Sequence, residues 1–203
     1  MSLLGRKTQT AKLLPMCNYG NPVLREKSVK VEVVDAAVEE LAECMLVTMD
    51  EQEGIGLAAP QVGQKIRMIT LNVPLPTDTE DSPPFSNTPG ELVLLEQMPM
   101  VLINPQLSVF SEQIYEYNEG CLSIPGIRGC VVRSEFVQLD AATLNGALVT
   151  FRCGGLLSRC LQHEVDHLDG VLFTDRMKAD DLVLLEDALN KLDRQTRLSL
   201  KRR

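Results

Sequence analysis

The chain has 203 residues, 44% of them hydrophobic, which suits one domain with one substantial core. Its net charge of -8 argues against a nucleic-acid-binding protein, because phosphate contacts need a basic surface, so no DNA partner is expected. No apolar run approaches the length of a membrane span and no signal-peptide pattern is visible, so no membrane partner is expected.

Residues 1–16 read as a basic, flexible N-terminal segment. Arg6, Lys7, Lys12 and Arg25 precede the first acid, Glu26, with Ser2, Thr8 and Thr10 among them. This composition resembles the tail of an organelle transit peptide; a solvated terminus is the competing reading. The expected compartment is the cytoplasm if the source is bacterial and a mitochondrion or plastid if it is eukaryotic. The catalytic domain is expected over residues 17–203.

From Asp35 to Glu51, apolar residues Ala37, Val38, Leu41, Met45, Leu46 and Met49 recur at helical spacing and predict an amphipathic helix, ended by Gly54 and Gly56. Ile66–Val73 predicts a strand. Residues 74–90 hold five prolines among Asp, Ser, Thr and Asn and read as a loop insertion. Val101–Ile103 starts a strand that Pro105 should limit. Val131–Leu139 and Leu148–Phe151 read as strands, with a turn near Asn145–Gly146. Leu156–Leu168 predicts a helix between Gly154–Gly155 and Gly170. Residues 180–200 predict a C-terminal helix with Leu182, Leu185, Leu189 and Leu192 on one face. Strands in the middle and helices toward both ends define an α+β class in one domain.

The strongest chemical signal is His163-Glu164-Val165-Asp166-His167. On a helix, residues four apart share a face, so two imidazoles can grip one metal ion while the glutamate between them takes a proton from water. Both of the chain's histidines fall in this motif. Two histidines leave a catalytic site one protein ligand short, and acids and cysteines are the candidates. Of the six cysteines, none forms a C-x-x-C pair, which fits a reducing compartment. Cys121 is the best placed, because Gly120, Pro125 and Gly126 around it give a tight turn. Cys130, beside Val131 and Val132, and Cys160, inside a helix, look like core filler. In Gly54-Ile55-Gly56-Leu57-Ala58-Ala59-Pro60-Gln61 the small residues allow a ligand to approach closely. The Gln61 amide can donate to a developing oxyanion, a packed turn with a solvated glutamine being the competing reading.

These three segments, in this order, resemble the peptide deformylase family, with its G-I-G-L-A-A-P-Q, E-G-C-L-S and Q-H-E-x-D-H stretches. Here they are Gly54–Gln61, Glu119–Ser123 and Gln162–His167, and the likeness runs from about Cys17 to Met177 through Pro105, Pro125, Arg128 and Gly170. The resemblance implies that Cys121, His163 and His167 bind the metal and that Glu164 is the general base and acid. It implies that Gln61 and the Leu122 N–H stabilise the oxyanion. Ile55, Gly56, Glu119, Gly120 and Arg128 are then expected to line or support the substrate site. The implied cofactor is one divalent ion, Fe(II) natively, with zinc, nickel or cobalt able to replace it. The implied substrates are formyl-methionine nascent peptides, and a transient ribosome contact through the basic end of the C-terminal helix is expected. The expected fold is mixed or antiparallel β-sheets around a central helix carrying the two-histidine motif, with N- and C-terminal helices. A general metallopeptidase and a binding protein with a structural metal are the competing functions.

Overall fold

The computed structural model describes residues 11–75, 88–109 and 111–202. The first helix, α1 (Ala36–Glu51), starts where Asp35 accepts a hydrogen bond from the Val38 N–H at 3.0 Å. Its face of Ala42, Met45 and Met49 is buried against Leu57 and Met68, as its periodicity predicts, although Ala37 lies exposed. Residues 11–16 lie beside this helix, the Leu14 N–H donating to Thr48 Oγ1 at 2.9 Å. Residues 1–10 of the expected flexible segment fall outside the described residues.

Five strands form the main sheet: β1 (Gly56–Ala58), β2 (Met68–Leu71), β3 (Met100–Val109), β6 (Val137–Ala142) and β7 (Leu148–Cys153), in the order β1-β2-β3-β6-β7. A separate two-stranded sheet pairs β4 (Ile114–Cys121) with β5 (Ile124–Ser134). Every named strand pairing among the described residues is antiparallel. Helix α3 (Gly155–Leu168) packs on β1, β2 and β3 and also touches β5, so it lies against both sheets. Leu157, Leu161 and Leu168 bury one of its faces among Ile69, Leu71, Leu102 and Leu139. A smaller core joins Ile124 and Val131 of β5 to Phe173 and to Leu189 of α5 (Glu186–Leu200). The fold is α+β in one domain, as expected.

Four expectations need correction. The strand at Val101 continues past Pro105; a register break between Ile103 and Gln106, with Asn104 at φ 52, accommodates the missing N–H. Val131–Leu139 is two strands, because the chain bends at Glu135–Phe136 and passes from the two-stranded sheet to the five-stranded one, the Glu135 N–H bonding Gln113 O. The C-terminal helix is divided into α4 (Ala179–Val183) and α5, with a turn at Leu184–Leu185 where the Leu185 N–H bonds Leu182 O. The segment 74–90 ends in a helix, α2 (Pro89–Leu95), which the loop reading missed. Most of that segment, residues 76–87, lies outside the described residues.

Candidate metal centre and active-site cleft

His163 and His167 lie one turn apart on α3, with ring centroids 5.0 Å apart, and the His163 ring stacks on Phe173 at 6.3 Å. Cys121 ends β4, immediately before the turn into β5, and its Sγ lies 3.2 Å from His167 Nε2. One donor atom from each of Cys121, His163 and His167 falls within 4.8 Å of the other two. A thiolate with two imidazoles is a donor set for zinc or a late first-row transition metal rather than for magnesium or calcium. Beside it Glu164 Oε2 is buried without a protein hydrogen-bond partner. The residues therefore fit a divalent transition metal.

The Nδ1 of His163 lies 2.9 Å from Glu119 Oε2, which leaves Nε2 for a ligand role. Glu119 is itself held at Oε1 by Arg133 Nε (2.6 Å) and Arg159 (2.7 Å), and at Oε2 by Arg133 Nη2 (2.9 Å). Arg133 reaches on to Asp166 at 2.8 Å, and Arg176 bonds the other Asp166 oxygen at 2.7 Å. Burial alone would raise the Glu119 carboxyl, but His163 and Arg133 hold it well below the usual carboxylate range. Glu119, Arg133 and Arg159 are all buried, so their charges are balanced inside the protein and not by water.

Gln61 lies in the short helical turn Ala59–Val62 and is buried, which removes the solvated-glutamine reading. Its Oε1 accepts from the Ala58 N–H at 2.7 Å. This fixes its Nε2 toward Cys121 Sγ (3.4 Å) and Ser123 Oγ (3.3 Å). Gly56 passes directly over Glu164; a Cβ there would meet the Glu164 carboxylate and stand 2.7 Å from Cys160 Sγ. Burial pushes the Glu164 carboxyl up to about 7, opposed by His163 and Arg133 and helped by Glu119. Cys160 donates to Ile55 O at 3.6 Å and, being buried, keeps its thiol proton well above the usual range.

These groups floor an open cleft of about 680 Å³ whose walls include Ile55, Tyr117, Leu122, Arg128 and Leu156. Of the residues singled out in the sequence, all but His167 border this cleft, and His167 is buried behind it. Arg128 is exposed at its rim, its stem lying over Gly120. The carboxylate of Glu119 is engaged by Arg133, Arg159 and His163, which makes it a support for the imidazole. Sequence reasoning missed Arg133, Arg159 and Asp166. Arg159 had a signal: it stands four residues before His163, on the same helical face. Arg133 had none, since a lone arginine in a strand reads as solvent-facing.

A candidate transition-metal donor triplet beside a buried carboxylate, in an open cleft, is the arrangement of a metal-dependent hydrolase. A sequence model described as Polypeptide deformylase matches residues 13–182. A peptide deformylase of Opitutus terrae is 37% identical over 194 residues, covering 93% of this chain and 97% of that protein. Among solved structures, a peptide deformylase from Synechococcus elongatus in complex with actinonin is 37% identical, with a TM-score of 0.72 and coverage of 88% of this chain and 86% of that one. One from Ehrlichia chaffeensis is 31% identical, with a TM-score of 0.77 and coverage of 93% and 99%. The chain belongs to the polypeptide deformylase family.

Proposed function

We propose that this enzyme removes the formyl group from the N-terminal formyl-methionine of new polypeptides, releasing formate and a free amine. The observation that carries the reading is the convergence of Cys121, His163 and His167 beside Glu164, which lies under Gly56 in the cleft. Cys121, His163 and His167 would hold one divalent ion, with Fe(II) proposed as the native metal and zinc, nickel or cobalt as substitutes. When bound, such an ion acidifies water and polarises a carbonyl. Glu164 takes the proton of the attacking water at its carboxylate and returns it to the leaving amine nitrogen. Gln61 Nε2 and the Leu122 N–H donate to the carbonyl oxygen as it gains charge. The absence of a side chain at Gly56 lets the substrate backbone lie close to Glu164, with Ile55, Gly120 and Arg128 along its path. Glu119 keeps His163 in one orientation and one tautomer.

The test is formate release from formyl-Met-Ala-Ser by anaerobically prepared enzyme. Release is expected with Fe(II), Ni(II) or Co(II), is lost on chelation and is absent with the acetylated peptide. No release from folded, metal-loaded protein would refute the reading.

The catalytic domain is proposed to span 17–203. Among the described residues no helix is long and apolar enough to cross a membrane. The proposed compartment is the cytoplasm in a bacterium and a mitochondrion or plastid in a eukaryote. Arg194, Lys201 and Arg202 at the end of α5 are proposed to make a transient ribosome contact with rRNA phosphates. Arg197 is already paired to Asp193 at 2.7 Å and has less to offer. Ribosome co-sedimentation should fall when residues 194–203 are removed, and unchanged co-sedimentation would discard this contact.

A further inference from the structure

Helix α3 begins at Gly154, which has no side chain to satisfy the N–H groups of the first turn, and no side chain caps it from the N-cap position. Those donors find their partner on α2. Thr88 caps α2, accepting from the Glu91 N–H at 3.1 Å, and Glu91 Oε2 in turn accepts from the Thr88 N–H at 3.2 Å. The same oxygen accepts from the Gly154 N–H at 3.3 Å, and the nearby Leu157 N–H also favours the charged Glu91 carboxylate. Gly154 and Leu157 are the N-cap and third residue of α3, the positions a capping box normally serves within one helix. Two contacts lock α2 in place. Thr88 Oγ1 donates to Arg152 O at 2.6 Å, and a Cβ on Gly90 would stand 2.9 Å from that oxygen. Leu94 and Leu95 share a core with Cys153, Leu157 and Leu161.

The first turn of α3 is also a wall of the cleft. Leu156 sits two residues past the capped Gly154 and lines the cleft, followed by Arg159 and Cys160. His163, Glu164 and His167 lie further along the helix, where Glu119 bonds His163 and Arg133 anchors the same stretch through Asp166.

We propose that Glu91 is a positioning residue: by capping α3 from α2 it fixes the turn that carries Leu156, and so sets substrate binding without touching the substrate. The proposal rests on the deformylase reading for its substrate. Burial pushes the Glu91 carboxyl up to about 7, against the backbone N–H groups that it accepts. Near neutral pH the neutral isostere glutamine, which keeps an acceptor oxygen, therefore does the same task.

The experiment compares parent, Glu91→Ala and Glu91→Gln, metal-loaded and well below their melting temperatures. KM and kcat are measured on formyl-Met-Ala-Ser, and amide hydrogen exchange on residues 154–157. Loss of one cap should speed exchange at 154–157 and raise KM by about fivefold in Glu91→Ala, with kcat within about twofold. Glu91→Gln should restore both. Unchanged exchange at 154–157 in Glu91→Ala, a kcat loss matching lost metal or lost folded protein, or a Glu91→Gln as impaired as Glu91→Ala would each overturn the proposal. A parent that releases no formate refutes the functional reading instead, and the exchange measurement still decides whether Glu91 caps α3.

Discussion

Glu164→Gln is expected to release formate at about one-thousandth of the parent rate, within the range that a positioned general base supplies. The substitution changes little besides proton chemistry. Glutamine matches glutamate in size, so it fits beneath Gly56, where any side chain on residue 56 would collide. The donor atoms of Cys121, His163 and His167 are untouched, so metal content should equal that of the parent. What disappears is the group that accepts a proton from water and delivers it to the leaving nitrogen. Formate release measured beside metal analysis separates this loss from loss of the ion. Full activity with full metal content would remove Glu164 from the proposed mechanism.

Arg133→Met should carry the largest stability cost. Arg133 is 6% exposed and makes bonds to both Glu119 and Asp166. Removing it strands part of two buried negative charges: Glu119 retains Arg159 and His163, and Asp166 retains only the half-exposed Arg176. Breaking a buried pair from one side costs about 3–5 kcal/mol. For a chain of this length that lowers the melting temperature by about 10 °C. A second effect follows from the Glu119–His163 contact: a looser Glu119 holds His163 Nδ1 less firmly, and metal affinity should fall about 10- to 100-fold. Thermal melting and competition against a chelator would measure the two effects separately. A melting temperature within a degree or two of the parent would show that the network is not a structural necessity.

Of the residues proposed to carry chemistry, the two histidines four apart around a glutamate were legible from type and spacing, whereas the cysteine in a turn and the glutamine after Ala-Ala-Pro were singled out from their alternatives only through the family resemblance. The amphipathic face of α1 and the apolar face of α3 were legible for the same reason, a sustained helical period. What escaped was set by tertiary structure. The bend at Glu135–Phe136, where the chain changes sheets, has neither glycine nor proline to mark it. The break at Leu184–Leu185 lies in an unbroken apolar run. Thr88-Pro-Gly-Glu holds a capping box, but its proline and glycine also read as loop. Arg133 and Arg159 look like surface charges until the fold places Glu119 between them.

The proposed ligand triplet is split between two pieces of architecture, the end of β4 and one face of α3. Cys121 and His167 stand 46 residues apart, with β5, β6 and β7 made in between. No local segment therefore resembles the finished donor set, and contacts of such long range form late in folding. Because both histidines of the chain lie in that one helix, a growing polypeptide that has not yet produced it has thiols but no imidazole. The complete donor set therefore exists only after synthesis has passed His167 and α3 has docked beside the end of β4, so a half-made chain can offer sulfur but not the mixed sulfur–nitrogen site.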